Sequence, residues 1–134
     1  DIWLPGKQQK QLGRLSTSLE LHAIYGRVRN FHQVDSTAEL KALPALEARV
    51  FSATTFRTDC FEKFGLPDTA ATHHTWLYRW WHQAVQMNIK TDSISQEVLL
   101  RRIHGKNGWL EHGEQGRMEL RQELRTHFRK KKGE

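Results

Sequence analysis

Residues 90–103 read Lys90-Thr91-Asp92-Ser93-Ile94-Ser95-Gln96-Glu97-Val98-Leu99-Leu100-Arg101-Arg102-Ile103, and the period assigned to them decides the fold class. Val98, Leu99 and Ile103 fall at the spacing of one helical face. Ser93 and Gln96 match a capping box, in which two side chains reciprocally satisfy the first free backbone amides of a helix. This predicts a short helix over 94–104, stopped at Gly105 and preceded by a break at Thr91 and Asp92. It would turn Ser95, Gln96, Arg101 and Arg102 outward.

Working upstream, Asp68 and Thr69 can cap a helix with the stripe His73, Trp76, Leu77, Trp80, Trp81, Ala84 and Met87. A sector this aromatic is either core or a partner surface. With that helix ending near Asn88, the turn through Lys90 to Asp92 and the helix after it have the outline of a helix-turn-helix. Before it, Leu46, Val50, Ala53, Phe56, Cys60, Phe61 and Phe64 keep a helical period until Gly65 and Pro67 stop it. Ser36-Thr37-Ala38-Glu39 offers another capping box, and Pro44 ends that short helix or opens the next. Gly13 and Ser16-Thr17-Ser18 carry helix-start chemistry ahead of Leu21, Ile24, Tyr25, Val28 and Phe31, a further helical stripe. Gly26 would cost that helix about 1 kcal/mol, and a short strand near 19–25 is the alternative. Residues 1–15, with Pro5 and Gly6, read as an extended arm.

Downstream, Lys106-Asn107-Gly108 is a strong turn signal, giving a short hairpin near 106–116 that would make the arrangement winged. A last helix starts near Arg117 with Leu120, Leu124 and Phe128 inward. The sum is a mostly α fold, a compact bundle of five or six helices. Residues 16–128 form its single domain and 129–134 a basic tail.

Composition narrows the function classes. The chain has 134 residues, 37% hydrophobic and 27% charged, with 5 Trp and 6 Phe, too aromatic for a disordered chain. No apolar run approaches the ~20 residues of a membrane span, and Leu120, Leu124 and Phe128 are too thin a face for lipid insertion. The single cysteine, Cys60, excludes a disulfide framework and a four-thiolate zinc site. It falls on a core face, and a reducing intracellular compartment, cytoplasm or nucleoid or nucleus, is expected. An opening of Asp1-Ile2-Trp3-Leu4-Pro5, without methionine or apolar leader, is the expectation for a piece of a longer protein or a processed chain.

The net charge of +6 is uneven. Residues 1–30 carry five basic and two acidic groups, residues 31–70 four and six, and residues 71–134 twelve and seven. Arg117, Arg121, Arg125 and Arg129 recur every fourth residue and run into Lys130, Lys131 and Lys132. A guanidinium row of this kind can track phosphates, because each planar fork bonds two oxygens; the bland alternative is a solvated face of local ion pairs. Arg101, Arg102 and Lys106 would add base or phosphate contacts. The reading is a nucleic-acid-binding domain, DNA ahead of RNA, with no membrane role.

Two alternatives come from other classes. Trp76, Trp80 and Trp81 could border a groove for a partner helix, making the chain a protein-interaction module, with another protein or the rest of a longer chain as partner. His104 and His112 flank a loop and, with a nearby lysine or arginine, could serve a small metal-independent nuclease. None of the eight histidines stands in a His-x-x-x-His or His-Glu-x-x-His pattern, so no metal site is expected. No phosphate-cradling glycine loop, dinucleotide fingerprint or Gly-x-Ser-x-Gly elbow occurs, so no cofactor and no catalytic residue is assigned.

Overall fold

The computed structural model describes residues 1–34, 39–68 and 75–104, with the helical positions Glu114, Met118, Arg121, Gln122 and Arg125. In chain order the elements are β1 (Ile2–Trp3), α1 (Lys7–Thr17), β2 (Ala23–Val34), β3 (Glu39–Ala42) and β4 (Leu46–Glu47). A 3-10 turn (Phe51–Ala53) leads into β5 (Thr54–Phe56), α2 (Cys60–Phe64), α3 (Thr75–Gln86) and β6 (Thr91–Ile103). The six strands make one mixed sheet in the order β1-β6-β2-β3, with β4 and β5 also paired to β2.

β2 is the spine. Along one edge it lies parallel to β6, from Ala23 opposite Thr91 to His32 opposite Ile103. Along the other edge the returning chain runs antiparallel in three pieces, placing Phe31 opposite Ala42, Val28 opposite Leu46 and Ala23 opposite Phe56. β1 closes the far side of β6, with Trp3 opposite Leu99.

This architecture overturns the expected bundle of five or six helices: the described residues hold three α-helices and a six-stranded sheet. Residues 91–103, expected as the second helix of a helix-turn-helix, are the long strand β6, so that unit is not present. The physical reason is a bulged register. Between the pairs Tyr25–Ser93 and Val28–Leu99, β2 advances three residues while β6 advances six. The extra residues break the period of two and bury Val98 and Leu99 side by side, which in sequence imitates a helical stripe.

The stripe at 21–31 misled for a related reason. Ala23 and Ile24 are both fully buried because both sheet faces are covered at that end of β2, so no apolar–polar alternation survives. Residues 46–64, expected as one long helix, instead run through β4, the 3-10 turn, β5 and α2. Val50, Phe51, Thr54, Thr55 and Phe56 are β-branched and aromatic residues that favour a pleated, half-buried surface. Residues 7–15, expected as part of an extended arm, instead lie in α1 (Lys7–Thr17). The capping box of 36–39 gives way to β3 from Glu39, its first three residues lying outside the described ones. α3 stands within the expected bounds. The hairpin near 106–116 lies outside the described residues.

Two layers of side chains cover the sheet. On one face Ile24 packs with Leu15 and Leu21, beneath α1. Gln11 of α1 is fully buried there, donating from Nε2 to the carbonyls of Ile24 (3.1 Å) and Ala53 (2.8 Å). Its Oε1 accepts from the Thr55 hydroxyl at 2.7 Å, so the amide is satisfied as a buried polar group must be. Val28, Ala53, Val98 and Leu99 continue the core along the sheet. Val98 sits directly over Gly26: a Cβ added there would meet the two Val98 methyl carbons at 2.6 and 2.7 Å.

On the other face Cys60 and Phe64 of α2, Trp80, Trp81 and Ala84 of α3, and Phe51, Phe56 and Phe61 build an aromatic core. Its rings meet mostly edge to face, as in Phe51–Trp80 (5.2 Å between centroids) and Trp80–Trp81 (5.1 Å), the arrangement their quadrupoles favour. The Trp80 indole donates to the Gly65 carbonyl at 2.7 Å.

Candidate anion-binding sheet face

Residues two apart on a strand share a face. On β2 this places Tyr25, Arg27, Arg29 and Phe31 together, and the parallel register adds Glu97, Leu100 and Arg102 of β6. The nearer end of this face is covered by the aromatic core, since Phe56 lies opposite Ala23. Beyond it Arg27 and Arg102 are exposed, and Arg29, Phe31, Glu97 and Leu100 are partly buried.

Arg49, two residues after β4, joins the covered and open parts. Its guanidinium carbon lies 5.5 Å from the Tyr25 ring centre and 5.8 Å from that of Trp81. Cation–π attraction to two rings restrains the side chain, and Arg49 makes no ion pair among the described residues. Its five N–H donors are therefore oriented but uncommitted. Arg27 is exposed and spends one donor on the Ala45 carbonyl, at 2.7 Å.

Two carboxylates temper the charge. Glu97 takes a two-pronged bond from Arg29, with Nε at 2.8 Å and Nη2 on the other oxygen. The hydrogen bonds from Arg29 hold the Glu97 carboxyl below its ordinary value and raise the guanidinium's. Glu47 accepts from the Ser93 hydroxyl at 3.0 Å, reaching across β2 to do so. The face thus carries Arg27, Arg29, Arg49 and Arg102 against Glu47 and Glu97.

The expected site residues scatter. Arg102 is exposed and opposite Phe31, whereas Arg101 is opposite Asn30 and, as its strand neighbour, faces the other way. Arg121 and Arg125 are exposed and helical, four residues apart. Lys106, Arg117, Arg129, Lys130, Lys131 and Lys132 lie outside the described residues. Trp80 and Trp81 are buried, and Trp76 is partly buried with its ring 5.5 Å from Phe51, so two of the three rings expected at a groove belong to the core. His104 is exposed just past β6, and His112 lies outside the described residues. Among the described residues no three His, Cys, Asp or Glu side chains are grouped to hold a metal ion. No helix among them is long and apolar enough to cross a membrane. Cys60 is fully buried and its thiol is pushed up to about 11, first by burial and then by Asp59.

Sequence reasoning missed Tyr25, Arg27, Arg29, Phe31 and Arg49. The signal for the first four was present, since Tyr25-Gly26-Arg27-Val28-Arg29-Asn30-Phe31 places aromatic and basic residues at every odd position. Arg49 had none, because its partners come from β2 and α3. No protein-family model matches the chain, and neither a curated protein nor a solved structure matches it.

Proposed function

We propose that this domain binds nucleic acid through its phosphates, using the open sheet face rather than an inserted helix. The observation that carries the proposal is Arg49, its guanidinium carbon 5.5 Å from the Tyr25 ring centre and 5.8 Å from that of Trp81, with no carboxylate partner among the described residues. An ordered guanidinium loses little further entropy on binding and presents the bidentate geometry that phosphate oxygens match. Arg27 lies on the same face, and the exposed Arg121 and Arg125 supply further positive charge.

Phosphate-led binding releases counterions and weakens steeply with salt. Anisotropy titration of a labelled oligonucleotide at several salt concentrations is the test. The Arg27→Ala/Arg49→Ala double variant should bind about tenfold more weakly, with a log–log salt slope shallower by roughly 1–2. Arg49→Lys should fall between, keeping the charge and losing the stacked plane. Salt-insensitive binding, or a double variant with unchanged affinity and slope, would overturn the proposal.

A further inference from the structure

Resting on that reading, we infer that the nucleic acid is single-stranded and that Phe31 is a platform on which one of its bases stacks. Duplex sequence is read by an element that enters a groove, since stacked bases expose only their edges there. The segment expected to supply such a helix is instead the inner strand β6, buried at Val98 and Leu99 and paired on both sides. Beyond its aromatic core the sheet offers a broad face carrying an aromatic ring among guanidinium groups.

Phe31 is partly buried and lies two residues from Arg29 and opposite Arg102. None of the ring–ring contacts of the aromatic core includes it. Phe31 is fixed in a strand and keeps part of its surface exposed, so ordering it for a partner costs little entropy, and bases of an unpaired strand can lie on an aromatic ring whatever their identity. Arg27 and Arg49 lie toward the other end of the face, where they can follow the backbone of the same strand. Tyr25 is not a second platform, because its ring is taken by Arg49. The arrangement is one stacking position flanked by phosphate contacts, which predicts a strand of loose sequence preference, bound in an extended form.

The test compares one oligonucleotide as a single strand and as a duplex, and uses a 2-aminopurine strand whose fluorescence falls when its base stacks. The single strand should bind about tenfold tighter than the duplex, and the unmodified protein should quench the 2-aminopurine. Phe31→Leu, which keeps apolar bulk and removes the ring, should lose about tenfold on the single strand, remove the quench and so abolish the single strand's advantage over the duplex. Phe31→Tyr should bind as the parent does. Equal or tighter duplex binding, or absence of quenching by the unmodified protein, overturns the inference while leaving phosphate binding standing if Arg27→Ala/Arg49→Ala still weakens it. Failure of both nucleic acid forms to bind in a salt-dependent way removes the underlying reading too. The quench is read on the unmodified chain and does not depend on how the variants fold.

Discussion

His22 ties together the residues that immediately precede the two central strands. Its backbone N–H donates to the Lys90 carbonyl at 2.8 Å, and the Lys90 N–H donates back to the ring Nδ1 at 2.9 Å. That ring nitrogen can accept only while it carries no proton. Burial, followed by the charge of Lys63, lowers the imidazole below its ordinary value. A ring that resists protonation in the fold but accepts it in the unfolded chain stabilises the fold above about pH 6.5 and loses this contribution as pH falls. Melting temperature should therefore fall between about pH 7.5 and pH 5.5, and His22→Gln should flatten that interval in thermal melts. At Gly26 the constraint is steric. Gly26→Ala should cost about 2 kcal/mol, because the new methyl overlaps both Val98 methyls. If that overlap is the cause, denaturant titration of Gly26→Ala/Val98→Ala will give a total smaller than the sum of the single costs by about 1–2 kcal/mol.

At the scale of elements, α3 binds the sheet through two adjacent tryptophans in different hydrogen-bonding states. Trp80 donates to the Gly65 carbonyl, while the buried Trp81 N–H has no partner among the described residues. Trp80→Phe leaves a carbonyl without its donor and should cost about 2 kcal/mol. Trp81→Phe loses the same ring volume but removes a donor that has no partner, so it should cost about 1 kcal/mol less than Trp80→Phe, a ranking that urea titration can reverse or uphold. α3 is also the element that was legible in sequence, because one side of it is apolar and the other polar over three turns. β2 and β6 were not legible. A strand covered on both faces, or broken by bulges as at Ser93 to Leu99, loses the period of two by which strands are recognised. Of the residues on the candidate face, Arg102 alone was singled out in the sequence. The arginines of β2 and Arg49 become neighbours only through a sheet register that local spacing does not encode.

At the scale of the whole molecule, ion pairs among the described residues join distant parts of the chain: Arg14 of α1 with Asp92 of β6 at 2.6 Å, and Arg29 of β2 with Glu97 of β6. Both carboxyls are held below their ordinary values, Asp92 chiefly by the Ser93 N–H and then Arg14, Glu97 chiefly by Arg29. Their contribution is present above about pH 4 and lost below it, a second acid step separate from that of His22 and small because both pairs are largely exposed. The strand order has a kinetic consequence. β6 lies between β1 and β2, so the last-synthesised of the described strands must enter a slot whose two walls were made first. β2 can close on β5, β4 and β3 through a short loop, whereas its pairing with β6 spans more than sixty residues of chain. Pulse-labelled hydrogen exchange should find amides of the β2–β5 pairing protected before those of β6. Until β6 docks, a bare strand edge faces the solvent, and dilution will favour the native product over self-association.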